Sequence, residues 1–188
     1  MNSPDNIPTH ALQSHAAIAV GMALNVSVAV RWTRDGLQLI YTLAGNCSAL
    51  RLPPASEMSG PADDLWRHTC AEAFVAVEGE AAYREFNFSP SGQWAAYCFA
   101  SERVRAANGM NMNNQPSIQV QAEADQLTLT AQLPWSLLPH GAMLCIGLSV
   151  VIEEADGRLS YWALQHPGPQ PNFHHPAGRS LRLALPRH

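Results

Sequence analysis

The chain has 188 residues, a formal net charge of −4, 47% hydrophobic residues and 14% charged residues. Such a length suits a single domain with a sizeable core. The weak negative charge excludes a basic field for nucleic acid or an anionic membrane, and no run of about 18 apolar residues is present to span a membrane as a helix. The 14 Pro and 12 Gly are spread along the chain, which predicts short strands and many turns.

Met1 to Thr9 is polar and expected to fray, and the fraying can reach residue 20. His10 to Gly21 is ambiguous. Ala16 to Val30 is the stretch most like a signal-peptide core, but it lacks a preceding basic region and a small-residue cleavage site. A cytoplasmic protein with Cys47, Cys70, Cys98 and Cys145 as reduced thiols is the expectation. Leu24 to Thr33 alternates as a strand. Arg34-Asp35-Gly36 is a hairpin turn and Leu37 to Leu43 the return strand. Ser48 to Leu52 reads as a short strand closed by Pro53-Pro54, followed by a polar loop.

Asp63 to Phe99 carries two of the five Trp, two of the four Cys and four of the five Phe. His68 to Val77 alternates with Cys70, Glu72, Phe74 and Ala76 on one face. Tyr83 to Ser89 alternates with Tyr83, Glu85 and Asn87 on one face and Arg84, Phe86 and Phe88 on the other. Ser89-Pro90-Ser91-Gly92 is a tight turn. Gln93 to Ala100 is apolar on both faces, the pattern of a central strand buried on both sides. A three-strand meander therefore presents Glu72, Glu85 and Asn87, either as a solvated face or as the floor of a ligand groove.

Ser101 to Pro116 is a long loop rich in Asn and Met. Ser117 to Glu123 and Gln126 to Leu133 form a hairpin, and Pro134 to Pro139 one helical turn. Met143 to Glu153 is a long apolar strand, with Asp156-Gly157 turning it into Leu159 to Gln165. His166 to Gly178 is a loop, and Ser180 to Leu185 alternates once more. About eleven strands with turns every 8 to 12 residues predict an all-β, antiparallel β-sandwich with immunoglobulin-like or jelly-roll-like layers. A closed barrel is the alternative. Residues 1–188 read as one domain.

The sequence carries no Gly-x-Ser-x-Gly, no His-Glu-x-x-His and no phosphate-binding glycine loop. Glu72 and Glu85 are one candidate pair for glycoside hydrolysis, which needs two carboxylates across a sugar. His68, His166, His174 and His175 are candidate metal ligands, and Met110 or Met112 with a His candidate haem ligands. Loop hydrogen bonding is the competing reading for each His. Trp32, Trp94 and Trp135 read as core. Trp66, in a polar loop, and Trp162, leading into a His/Pro-rich loop, are better placed to stack on a ligand. Sugar C–H faces pack on aromatic rings while hydroxyls bond to Glu, Asn and Arg.

The run Asp63-Asp64-Leu65-Trp66, then Glu72-x-Phe74, then Tyr83-x-Glu85-Phe86-Asn87-Phe88-Ser89-Pro90-Ser91-Gly92-x-Trp94 resembles the DOMON-like group related to type 9 carbohydrate-binding modules. Leu133-Pro134-Trp135-Ser136-Leu137-Leu138, Tyr161-Trp162-Ala163-Leu164 and Asn172-Phe173-His174-His175-Pro176-Ala177 extend the resemblance over residues 24 to 185. Within the group, the chain is most similar to short stand-alone bacterial proteins. The resemblance implies a sandwich of two antiparallel sheets with a sugar held between two aromatic side chains. Carried over residue by residue, Trp66 and Glu72 match the aromatic and acid of the first strand, Glu85 and Asn87 the next strand, and Trp162 or Phe173 the second aromatic. Arg103 or His174 would close the site. The wider group also includes haem binders, and type 9 modules can carry calcium, for which no dense Asp cluster is present.

The expected function is therefore non-catalytic binding of a glycan or small polyol, with carbohydrate as the partner, no obligatory cofactor and an open oligomeric state. A haem- or metal-binding redox module, or a scaffold domain without a small ligand, is the alternative.

Overall fold

The structure is a computed structural model that describes residues 7–56, 59–110 and 113–186. Most of the segment expected to fray first, and Met112 among the haem-ligand candidates, lie outside the described residues. Twelve strands follow in chain order: β1 (Thr9–Ser14), β2 (Leu24–Thr33), β3 (Gly36–Gly45), β4 (Cys70–Val77), β5 (Tyr83–Phe88), β6 (Trp94–Ser101), β7 (Val104–Arg105), β8 (Ser117–Ala122), β9 (Gln126–Pro134), β10 (Met143–Glu153), β11 (Leu159–Ala163) and β12 (Leu181–Ala184). All pairings between them are antiparallel.

The strands form two layers. The first runs β1-β2-β3-β9-β8 and the second β7-β6-β5-β4-β10, with β11 beside one half of β10 and β12 beside the other. β1 joins the layers: Thr9 to Leu12 pair with β2, and Gln13 and Ser14 pair with β11. Alternation decides what each strand buries. Val26, Val28 and Val30 of β2, Leu39 and Tyr41 of β3 and Leu129 of β9 meet Ala71, Ala73 and Val75 of β4, Phe86 and Phe88 of β5 and Ile146 of β10 in one core. Tyr41 reaches across the layers and donates its O–H to the Glu72 backbone carbonyl at 2.7 Å. That bond satisfies a hydroxyl which burial would otherwise penalise by about 1–3 kcal/mol. The β2–β3 turn needs Gly36: at φ 140° a Cβ would lie 2.0 Å from the Leu133 carbonyl oxygen.

The all-β sandwich expected from the sequence is present. Some local readings differ. Ser48 to Leu52 is no strand: Cys47–Ala49 forms a 3-10 turn, and Leu50 makes a single bridge to Glu154. β1 lies in the segment read as ambiguous or frayed. It buries only Leu12 deeply, so its pattern is faint, and its strand form comes from pairing with both layers. β7 is two residues long and follows a tight turn with Arg103 at φ 58°. β6 is not central: only β7 lies beyond it, and the strands buried on both faces are the neighbours β4 and β10. Among the described residues, no helix is long and apolar enough to cross a membrane.

Candidate functional site

The outer face of the second layer carries the polar cluster. Ser149 on β10, Glu72 on β4 and Asn87 on β5 lie directly opposite one another in successive strands. One pleat further on, Phe74, Glu85 and Tyr97 form the next row. Tyr83 and Phe99 form the row after that, their rings stacked at 4.8 Å and 3°. This face would be an open sheet surface but for the chain crossing it. The loop after β11 lays Pro171, Phe173 and His174 over the rows, and the 3-10 turn Leu65–Arg67 brings Trp66 to the end where β4 begins. The result is a groove of about 340 Å³. Glu72 and Glu85 lie in its floor, Tyr97, Phe99, Arg103 and Arg105 come from β6, β7 and their turn, and Tyr161 comes from β11.

The covering loop is tied down by one amide. Asn172 donates from Nδ2 to Glu102 Oε1 at 2.7 Å, and its Oδ1 accepts from Arg103 Nη2 and from the His174 backbone N–H, both at 3.2 Å. Buried Arg179 donates to the His174 carbonyl at 3.0 Å, with its guanidinium 4.6 Å over the Tyr83 ring. His174 packs edge-on against Phe74 and Phe99, each centroid 5.2 Å away.

Protonation follows from burial. The Glu72 carboxyl is pushed up to about 8, first by desolvation and then by the nearby Glu85 charge, with the Ser149 hydroxyl at 3.2 Å opposing this. Glu72 is therefore largely a neutral acid at pH 7, able to donate as well as accept. Glu85 is also raised by burial, while Asn87 Nδ2 at 2.9 Å and the guanidinium groups of Arg105 and Arg103 pull it down. His174 is pushed down to about 4, by desolvation first and then by Arg103. The Tyr83 oxygen accepts the Arg103 backbone N–H at 3.2 Å and lies 2.7 Å from His174 Nδ1. Among the described residues the buried phenol O–H has no acceptor but Nδ1, so it donates there, which leaves the proton of neutral His174 on Nε2, facing Glu85 Oε2 at 3.8 Å. That contact is no ion pair at neutral pH. Tyr97 donates to Asp63 Oδ1 at 2.7 Å and is pushed up to about 12 by burial and by that carboxylate. The Arg105 guanidinium lies 3.6 Å over the Tyr97 ring and 4.7 Å over Phe99.

Of the residues singled out from the sequence, Trp66, Glu72, Glu85, Arg103, Phe173 and His174 line this one groove. Asn87 lies beneath it, fully buried: its Nδ2 holds Glu85, and its Oδ1 has no hydrogen-bond partner among the described residues. Trp162 does not reach the groove. It points into the core between the layers, 7% exposed, and donates its indole N–H to Ser160 Oγ at 3.0 Å. Strand alternation gives the outward position to its neighbour Tyr161, which lines the groove. Phe74, Tyr97 and Phe99 share the outward face with Glu72 and Glu85, and face parity was the signal for them. Nothing in the sequence pattern pointed to Arg105, which is placed by the two-residue β7.

The other histidines go to separate places. His166 Nε2 lies 2.8 Å from the Gln13 carbonyl, His175 Nδ1 accepts the Ala177 N–H, and His68 Nδ1 lies 2.6 Å from Glu153 Oε2. Among the described residues, no three His, Cys, Asp or Glu side chains are grouped to hold a metal ion.

The groove thus has carboxyl oxygens in its floor, aromatic faces along its walls and one half-exposed indole at its end, Trp66 being 48% exposed. Such a site accepts hydrogen bonds from a polyhydroxylated ring and packs against its apolar faces.

No family model matches the chain, and no curated protein matches it in sequence. Solved structures do. A protein of Bacteroides uniformis whose assignment to carbohydrate binding is itself provisional superposes with TM-score 0.65 at 16% identity, covering 91% of this chain and 83% of that one. A family 9 carbohydrate-binding module of Caldicellulosiruptor kristjanssonii in complex with glucose gives TM-score 0.64 at 9% identity, covering 97% and 86%. A family 9 module of the same organism in complex with cellotriose gives 0.57 at 9% identity, covering 85% and 73%. At these identities the likeness is one of fold.

Proposed function

We propose that the chain is a non-catalytic carbohydrate-binding module whose ligand is a sugar ring seated in the groove. Trp66 and Phe173 stack on the ring. Glu85 accepts a hydrogen bond from a hydroxyl, Glu72 accepts or donates as its protonation allows, and Arg103 and the Nε2–H of His174 donate to ring or hydroxyl oxygens. Asn87 acts from below by holding Glu85. The observation that carries this reading is the placement of two buried carboxyls, Glu72 and Glu85, in the floor of an aromatic-walled groove. It is supported by the fold shared with modules solved with glucose and cellotriose.

Calorimetric titration with glucose, cellobiose and cellotriose tests it. Saturable binding to one of these sugars, lost in Glu85→Ala, is the expected result. No heat from any member of a wider mono- and oligosaccharide panel, with the fold intact, would refute it. Unchanged oligosaccharide after prolonged incubation checks the non-catalytic part, since release of a shorter sugar would contradict it.

A further inference from the structure

A second cavity, with Phe99 the one lining residue it shares with the groove, lies where the β4–β5 turn, the segment after β7 and the connection between β9 and β10 meet. It has a volume of about 400 Å³. Arg84 lines it from the core-facing side of β5, the side shared with Phe86 and Phe88. Its Nη1 is buried, and among the described residues nothing accepts a hydrogen bond from it; the only other such side-chain atom among them is Asn87 Oδ1 in the groove's polar cluster. Arg84 takes part in none of the ion pairs of the described residues. A buried guanidinium N–H left without an acceptor forfeits a charge-assisted hydrogen bond that an oxyanion would restore.

We propose that this cavity is a binding site for a small organic monocarboxylate, with the carboxylate on Arg84. The planar fork of a guanidinium matches a carboxylate with two parallel hydrogen bonds. Asn108 and His140, also in the lining, supply further polar contacts, and Val77, Ala82, Ala106 and Pro139 give an apolar wall for a short carbon chain. Glu80 lines the same cavity. Its charge sets the limit on the ligand: one negative charge is accommodated by Arg84, while a dianionic phosphate meets repulsion from Glu80.

Cys98 is a built-in reporter. It lies directly opposite Arg84 in the β5–β6 register and lines the cavity, whereas Cys47, Cys70 and Cys145 are buried. Iodoacetate and iodoacetamide alkylate a thiolate by the same displacement: the S–C bond forms, the C–I bond breaks and iodide leaves. They differ in that only iodoacetate is a monocarboxylate. Rates of Cys98 labelling with each, followed by peptide mass spectrometry, are compared with those of a free cysteine derivative. The expected result is an iodoacetate-to-iodoacetamide ratio at Cys98 about tenfold or more above the free thiol, the lower end of the scale of one charge-assisted hydrogen bond. Arg84→Gln returns the ratio to the free-thiol value and Arg84→Lys keeps part of it. Should Arg84→Gln fail to fold, the wild-type ratio decides, together with protection of Cys98 from iodoacetamide by excess acetate. A ratio equal to the free thiol overturns the proposal, as does failure of either reagent to reach Cys98. Neither outcome depends on sugar binding in the groove.

Discussion

Tyr83 O–H and His174 Nδ1 share a 2.7 Å hydrogen bond that decides which proton His174 presents to the groove. The phenol oxygen accepts the Arg103 N–H, and its own buried O–H has no acceptor but the imidazole among the described residues, so it donates there. Tyr83→Phe removes both bonds. We expect a stability loss of about 1 kcal/mol and loss of the single Nε2–H tautomer. Nitrogen-15 shifts of His174 measure this; unchanged shifts in the variant would show that the phenol does not set the tautomer.

The buried carboxyl of Glu72 makes stability fall on the alkaline side. Its folded value of about 8 lies above the ordinary 4.5, so between these values the folded state holds a proton that the unfolded state has lost. The stability it contributes is complete at low pH and is lost as pH rises through 8. His174 has the opposite sign: with a folded value of about 4 against an ordinary 6.5, it lowers stability as pH falls from 6.5 towards 4. Between pH 6.5 and 8 His174 therefore no longer opposes Glu72, and a Glu72 variant reads that carboxyl's share of the slope. Glu72→Gln, a neutral isostere, should flatten that limb by up to about 2 kcal/mol. Urea unfolding at the two pH values measures it, and an equally steep wild-type and variant limb would contradict the assignment.

Neighbouring residues on β11 should separate fold from binding. Trp162→Ala empties a core position and should cost about 3–5 kcal/mol of stability. Tyr161→Ala, on the groove face, should cost far less stability and weaken sugar binding several-fold. Thermal unfolding alongside calorimetry checks the pair. A stable Trp162→Ala protein with impaired binding would reverse the orientation described here.

Asn172 should govern the covering loop. Asn172→Ala removes the bonds to Glu102, Arg103 and the His174 backbone. Faster amide exchange across residues 166–178, with a several-fold loss of sugar affinity and a stability change of about 1 kcal/mol or less, is the expected outcome. Unaltered exchange in that loop would mean that other contacts hold it.

Much of this architecture was legible from alternation alone. The pattern of β4 and β5 separated a core face from one bearing Glu72, Phe74, Tyr83, Glu85 and Asn87, because a period of two leaves little freedom once one side is apolar. Alternation could not show that Phe173 and His174, about ninety residues away in the chain, would lie across that face. They entered through family likeness, and their position depends on tertiary bonds from Asn172 and Arg179. Trp162 faces the core and Tyr161 the groove, and a five-residue strand with apolar or aromatic residues on both faces carries no pattern that tells the two sides apart. β1 was hidden for a different reason: with Leu12 its one deeply buried residue, it is a strand only because two sheets meet on it.

The most direct measurement is intrinsic tryptophan fluorescence during sugar titration, in wild-type protein and in Trp66→Ala. Trp66 is half exposed in the groove, whereas Trp94 and Trp162 are buried in the core and Trp32 stacks on Trp135 at 4.9 Å, so a ligand in the groove perturbs Trp66 first. A saturable change with glucose or a glucan oligosaccharide is expected. In Trp66→Ala that signal should vanish and calorimetric affinity should fall about tenfold or more, while the unfolding temperature stays within a few degrees of wild type. An affinity unchanged by Trp66→Ala would contradict the stacking role and place the sugar elsewhere.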